Sequence, residues 1–170
     1  GREYIFVEIM DDVNGEKGTI GVIDLQDNKG FVEIINEPFH MSFPNTFKFK
    51  NDIYMMPETS EANQLRLYKA VDFPYKWELQ SVLYDGIAVV DTVFVKTKDN
   101  IMYVVGQKLP EKIMCCSKLI QIHGRRNLLH LRETMWICGQ LVTLFNMIME
   151  SIMLCRNAVE YMVNIYVCAN

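Results

Sequence analysis

The sequence predicts an all-β chain: an incomplete β-propeller of four-stranded antiparallel blades, followed by a non-native, helix-patterned C-terminal tail. Three observations predict it. Short apolar runs recur at close intervals, turn-forming residues separate them, and a faint internal repeat of about 50 residues has the length of one four-stranded blade. The chain has 170 residues, 50% of them hydrophobic and 22% charged, which suits one ordinary domain with a core of its own.

The strands are expected, in order, over residues 4–9, 19–25, 31–36, 46–49, 53–57, 65–70, 77–83, 92–96 and 101–105, each rich in β-branched and aromatic side chains. Between them stand Asn14-Gly15, Lys17-Gly18, Asn28-Lys29-Gly30, Lys50-Asn51-Asp52, Asp85-Gly86 and Lys98-Asp99-Asn100. These residues tolerate positive φ or bond their own backbone, so antiparallel hairpins follow. In the repeat, Tyr4-Ile5-Phe6-Val7-Glu8 lines up with Tyr54-Met55-Met56-Pro57-Glu58, and Pro44-Asn45-Thr46-Phe47 with Asp91-Thr92-Val93-Phe94. One blade then runs over residues 43–84, and its neighbours are cut short. Propeller blades close in a ring, so two or so blades leave edges uncovered, and the missing blades of the same propeller are the expected partners. The competing reading is an ordinary antiparallel sheet whose repeat is chance.

Composition divides the chain near residue 108. Residues 1–108 carry 17 acidic and 11 basic side chains, and residues 109–170 carry four and six. A partial propeller over 1–108 and an aberrant tail over 109–170 are the predicted domains. The formal charge of −4 has the wrong sign for tracking phosphates, so nucleic acid is not expected as a partner. All 5 cysteines lie in the tail, an odd number with one adjacent pair, which makes a poor disulfide framework. Cys115, Cys116, His123 and His130 supply four nominal metal ligands. Adjacent cysteines seldom both reach one tetrahedral ion, however, and no Cys-x-x-Cys spacing is present, so neither a metal nor a cofactor is expected. Leu141, Phe145, Ile148, Ile152, Cys155, Val159 and Met162 are spaced three or four apart, a helical stripe. The apolar stretch 141–154 is broken by Thr143, Asn146, Glu150 and Ser151, and it falls short of the roughly 20 residues that span a bilayer.

A series of motifs carries a family resemblance. His40-Met41-Ser42-Phe43-Pro44, then residues 51–60, Leu65-Arg66-Leu67-Tyr68, Phe73-Pro74-Tyr75-Lys76-Trp77-Glu78-Leu79 and Val90-Asp91-Thr92, in that order, resemble the N-terminal domain of the glucosamine inositolphosphorylceramide transferases. The resemblance covers roughly residues 4–106. It implies a five-bladed propeller like that of furanosidase and levansucrase relatives, associated with glycosyl transfer onto lipid or cell-surface glycans. A carbohydrate or glycolipid is the substrate so implied. Plant members also carry a separate glycosyltransferase domain to which nothing here corresponds, so the chain is expected to be a fragment of a carbohydrate-active protein, inactive by itself. The alternative is a noncatalytic module for glycan binding or protein contact.

The resemblance stops near residue 108, where family members continue with Asn-Gly-Lys-x-Tyr, a Gln, and Cys-Ser-Arg-x-Tyr-Gly. A shifted reading of residues 147–163, taking the third base of each codon with the first two of the next, restores that order. Met147-Ile148 must then give Asp, while Met149-Glu150 and Met162-Val163 must each give Gly; Asn157 through Glu160 allow Cys, Ser and Arg. The expectation is a one-base frame change between about residues 104 and 113. Under it, the tail cysteines and histidines carry no selected chemistry.

In furanosidase-type propellers, acidic side chains at the starts of innermost strands do acid-base work on a sugar. Asp91 is the first candidate for that work; its plainer role is a turn or cap Asp. Glu58 and Glu8, equivalent in the repeat, can flank one glycosidic bond, about 5–5.5 Å apart in a retaining pair or 6.5–9.5 Å in an inverting one. They can equally be strand-end acids bonding turn amides. His40 and Ser42, just before the innermost strand of the complete blade, are candidate binders of sugar hydroxyls or a phosphate-bearing head group, with a structural histidine as the alternative. Arg66 is expected to pair with Glu58 across the sheet and is a further candidate for binding substrate. Trp77, Tyr68, Tyr54 and Phe73 are expected in the core.

Overall fold

A computed structural model describes residues 1–10, 17–27, 30–96, 102–110, 113–121, 129–137 and 165–168. Twelve strands follow in chain order: β1 (Arg2–Met10), β2 (Gly18–Asp24), β3 (Phe31–Ile35), β4 (Ser42–Phe49), β5 (Asp52–Glu58), β6 (Gln64–Asp72), β7 (Lys76–Asp85), β8 (Val89–Lys96), β9 (Met102–Lys108), β10 (Ile113–Gln121), β11 (Leu129–Ile137) and β12 (Ile165–Cys168). They form three four-stranded antiparallel sheets, ordered β12-β1-β2-β3, β4-β5-β6-β7 and β8-β9-β10-β11. Apart from β12, each strand pairs with its chain neighbour, as hairpin chemistry in the loops requires.

Each of the nine runs expected within 1–105 falls on an observed strand, and the blade expected over 43–84 is the sheet β4–β7. The repeat has a structural counterpart. β1 and β5 hold the second place in their sheets, and β4 and β8 hold the first. The strand ladder also continues past residue 108, where β10 and β11 complete the third sheet and contain Cys115, Cys116 and His130. The helix expected over 141–163 and His123 lie outside the described residues. Among the described residues no helix is long and apolar enough to cross a membrane, and no group of three His, Cys, Asp or Glu can hold a metal ion.

Strand alternation explains how the sheets stack. Met55 and Met56 are consecutive in β5, so their side chains leave opposite faces, and both are fully buried. Met55 packs with Tyr4, Phe6, Ile20, Val22, Tyr68 and Trp77 against the first sheet. Met56 packs with Phe47, Tyr54, Leu65, Leu67 and Leu83 against Val104 and Phe94 of the third. Burying a side chain of this size contributes about 1.5–3 kcal/mol. β4 touches β1, β2 and β8, while β7 touches β3 and β11, so the middle sheet is covered on both faces. Rings lock both seams. Phe6 and Trp77 meet edge to face at 5.6 Å across one, and the centroids of Phe47 and Phe94 are 3.9 Å apart across the other. The four aromatic residues assigned to the core therefore serve it: Tyr54, Tyr68 and Trp77 are buried, and Phe73 packs against the cluster that holds Tyr68 and Trp77.

Candidate functional site

The up-and-down path brings the end of β1, the starts of β2, β4 and β8, and the end of β5 to one edge of the three sheets. Five of the six candidate residues gather there. Glu58 closes β5 and lies opposite Ser42, the first residue of β4, in the ladder. Ser60 Oγ donates to Glu58 Oε1 at 3.2 Å, and the Asp91 backbone N–H donates to Glu58 Oε2 at 3.4 Å. Glu58 thus joins the middle sheet to the third. Asp91 is the third residue of β8, two places later than the strand start expected for it, and its side chain is exposed.

On the other side of this edge His40 joins the first sheet to the middle one. Its Nδ1 accepts the Gly18 N–H at 2.9 Å, and its Nε2 faces Glu8 Oε1 at 3.5 Å. Its own backbone N–H donates to Glu61 Oε2. With Nδ1 occupied as an acceptor, the neutral ring carries its proton on Nε2, turned toward Glu8. His40 is therefore a fixed donor rather than a free base. The arrangement needs Gly18: a Cβ there would stand 2.5 Å from the Met41 carbonyl oxygen and 2.9 Å from both Glu8 Oε1 and the His40 ring.

Arg66 departs from expectation. It pairs with Glu37 of the β3–β4 loop at 3.3 Å, not with Glu58, and its guanidinium stacks over the Phe39 ring at 4.6 Å. Its Nε also donates to Gln64 Oε1 at 2.7 Å. Glu37 is the preferred partner because its other oxygen takes the Tyr68 hydroxyl at 2.9 Å, which builds one bonded cluster between two sheets. Burial pushes the Tyr68 phenol well above its usual range, its hydrogen bond to Glu37 adds to the effect, and Arg66 opposes it. Burial likewise pushes Tyr54 up to about 12, helped by neighbouring Asp52.

Two backbone features escape a sequence reading. The β4 register slips between Ser42 and Asn45, and the β8 register slips between Val90 and Val93. Each slip contains one non-glycine residue in the left-handed region, Phe43 at φ 47° and Asp91 at φ 52°. A conformation of this kind costs on the order of 1–3 kcal/mol in a bulky residue. The slips also correct the repeat, since they set Phe43, not Pro44, in the place of Asp91. Asn45 Nδ2 ties the two together by donating to the Thr92 carbonyl at 2.9 Å. In the sequence Gly18 is one more turn glycine and Glu61 one more exposed acid, and no local signal marks a long-range contact of this type.

Chemically, the described residues of this edge offer four carboxylates, a hydroxyl and a fixed imidazole N–H, a donor and acceptor set suited to a polyhydroxylated ligand. The chain is similar in sequence to known proteins. Glucosamine inositolphosphorylceramide transferase 1 of Oryza sativa subsp. japonica is 42% identical over 86 residues, 48% of this chain and 11% of that protein. Its namesake in Arabidopsis thaliana is 36% identical over 94 residues, 53% of this chain and 12% of the relative. The matched stretch thus spans only about a tenth of the length of these curated relatives. No solved structure matches the chain. A family model described as "Glucosamine inositolphosphorylceramide transferase 1, N-terminal" matches residues 2–123, well past residue 108 and over more than half of the sequence, and the chain belongs to that family.

Proposed function

We propose that this chain is the glycan-holding part of a protein that transfers sugar onto lipid or cell-surface glycans, and that by itself it binds without catalysing. The relatives' name joins glucosamine, inositolphosphorylceramide and group transfer. One observation carries the reading: Glu8, His40, Ser42, Glu58, Glu61 and Asp91 from three sheets share one edge. Binding is favoured over hydrolysis because Glu58 and Glu8 are each engaged by a neighbouring donor, a turn hydroxyl and a strand amide for one and an imidazole for the other. In this reading β4–β7 is one nearly whole blade of a propeller, β1–β3 and β8–β9 belong to its neighbours, cut short, and the other blades lie elsewhere in the parent protein. A change of frame between about residues 104 and 113 belongs to the same proposal, as does an aberrant tail over 109–170, and sequencing an independent nucleic-acid copy across that window tests both.

The functional reading is tested by titrating the whole chain with methyl glycosides and following saturation transfer by NMR. Binding that weakens at least fivefold in His40→Ala and in Glu58→Gln is the expected result. A chain that takes up no glycoside, or variants that bind as wild type, would reject it. A module for protein contact is the second reading, favoured by the exposed Phe31 and Val32 on edge strand β3.

A further inference from the structure

Three segments meet at His40: the start of β2, the loop between β3 and β4, and the short 3-10 turn Ser60–Ala62 that follows β5. Gly18 opens β2 and is buried, and its N–H donates to His40 Nδ1 at 2.9 Å. Its carbonyl accepts the Met41 N–H, also at 2.9 Å, so two bonds in succession stitch the loop to β2. No Cβ fits at Gly18, which keeps the ring and the strand end in contact. The His40 side chain is 31% exposed, so protons from solvent reach it. An imidazole accepts a hydrogen bond only while one of its nitrogens is bare. With a second proton, Nδ1 becomes a donor aimed at another donor, and the buried Gly18 amide loses its acceptor.

The charged groups around the ring determine which contact survives. Glu8 of β1 faces Nε2 at 3.5 Å, and on that side the protonated ring keeps its N–H and gains a charge pair. Glu61 of the 3-10 turn accepts the backbone N–H of His40, a bond that does not depend on the ring. Lys17, beside Gly18, is turned to Asn36 Oδ1 and the Glu37 carbonyl, and the Glu37 carboxylate is taken up by Arg66 and Tyr68. We infer that His40 is a proton-operated latch between the first and middle sheets: the neutral ring clasps Gly18, and the protonated ring lets Gly18 go while it holds Glu8. Met41 is fully buried and anchors the loop one residue further on, so the release stays local. Acid thus loosens the head of β2 and brings a positive charge to the edge that carries Glu8, Glu58, Glu61 and Asp91, whatever ligand that edge receives.

The experiment follows the full chain by heteronuclear NMR from about pH 8 to about pH 5, a range in which an imidazole ordinarily gains its proton while ordinary carboxylates stay charged. At the alkaline end the His40 ring nitrogens are expected to report the Nε2–H form. On acidification, hydrogen-exchange protection of the Gly18 amide, corrected for the intrinsic rate, is expected to fall at least about tenfold as the ring titrates, while the fully buried Ile20 and Val22 keep theirs. His40→Gln carries a side-chain carbonyl that can accept the same N–H but cannot titrate, and in it Gly18 protection is expected to stay constant across the range. A ring whose proton sits on Nδ1 at the alkaline end would overturn the latch, and so would Gly18 protection that persists once the ring is charged. A fall of equal size in His40→Gln would place the acid response elsewhere and overturn it as well. The first two readouts need only the wild-type chain, so they decide the matter even if the variant does not fold.

Discussion

Glu8 in the first sheet and Glu58 in the middle one hold the same place in their sheets, late in the second strand and at the same edge, yet they are tied down differently. Glu8 meets the imidazole of a loop residue, His40, whereas Glu58 meets a turn hydroxyl and the amide of the next sheet. The sheets differ in burial as well. The middle one packs cores against both faces, while the first belongs to a single core cluster. The difference teaches that the repeat reproduces backbone geometry and side-chain position, while the contacts of each copy are set by loops that do not repeat.

The largest effects test the two-faced middle sheet. Met55→Ala and Met56→Ala each remove a fully buried side chain from opposite faces, and each is expected to cost about 2–5 kcal/mol in urea unfolding. If only one variant is destabilised, the sheet has a single core face and the comparison with the first sheet collapses. Next comes Gly18→Ala, which drives a Cβ against the Met41 carbonyl and His40 and is expected to cost roughly 1–3 kcal/mol. Gly30→Ala is the control for it. Gly30 meets nothing within 4 Å but sits at φ 81°, so backbone strain alone is expected there, about 1 kcal/mol. Equal losses at the two glycines would show that His40 is not wedged as described.

Arg66→Ala comes next, at roughly 1–2 kcal/mol by chemical denaturation, since it deletes both the Glu37 pair and the Phe39 stack. A loss under a few tenths would show that the loop docks without it. A further effect is on pH. Tyr54 ionises in the folded chain at about 12 instead of 10, so its stabilisation is complete below pH 10 and disappears as pH rises through about 12. Phenolate absorbance and circular dichroism recorded together over that range are expected to show Tyr54 ionising as the fold is lost. Free titration of every tyrosine near pH 10 in an intact fold would contradict it.

Much of this fold is legible because strand signals are local. β-branched alternation and Gly or Asn punctuation located nine strands, and the pairing of Tyr4–Glu8 with Tyr54–Glu58 placed two of them in equivalent positions. Strands β10 and β11 are not legible in the same way, because the change in composition near residue 108 hides them. The candidate site was half legible. Charged and polar types at strand ends flagged Glu8, His40, Ser42, Glu58 and Asp91, but partners across loops are not written locally. Sequence pairs Arg66 with Glu58 across the sheet, whereas Glu37 reaches it from a loop 29 positions earlier in the chain. The one-place offset in the repeat has the same origin, since a register slip changes the count without changing residue type.

The meander of β4 to β7 has a consequence for synthesis. Each strand there finds its partner in the segment made just before it, so the ladder can close early and quickly as the chain leaves the ribosome. Its face toward the first sheet finds β1–β3 already made, but the one facing β8 and β9 stays bare until residues past 100 are made. During that interval the nascent chain is a natural client for a holding chaperone, and slowing translation just after β7 would lower the yield of native protein.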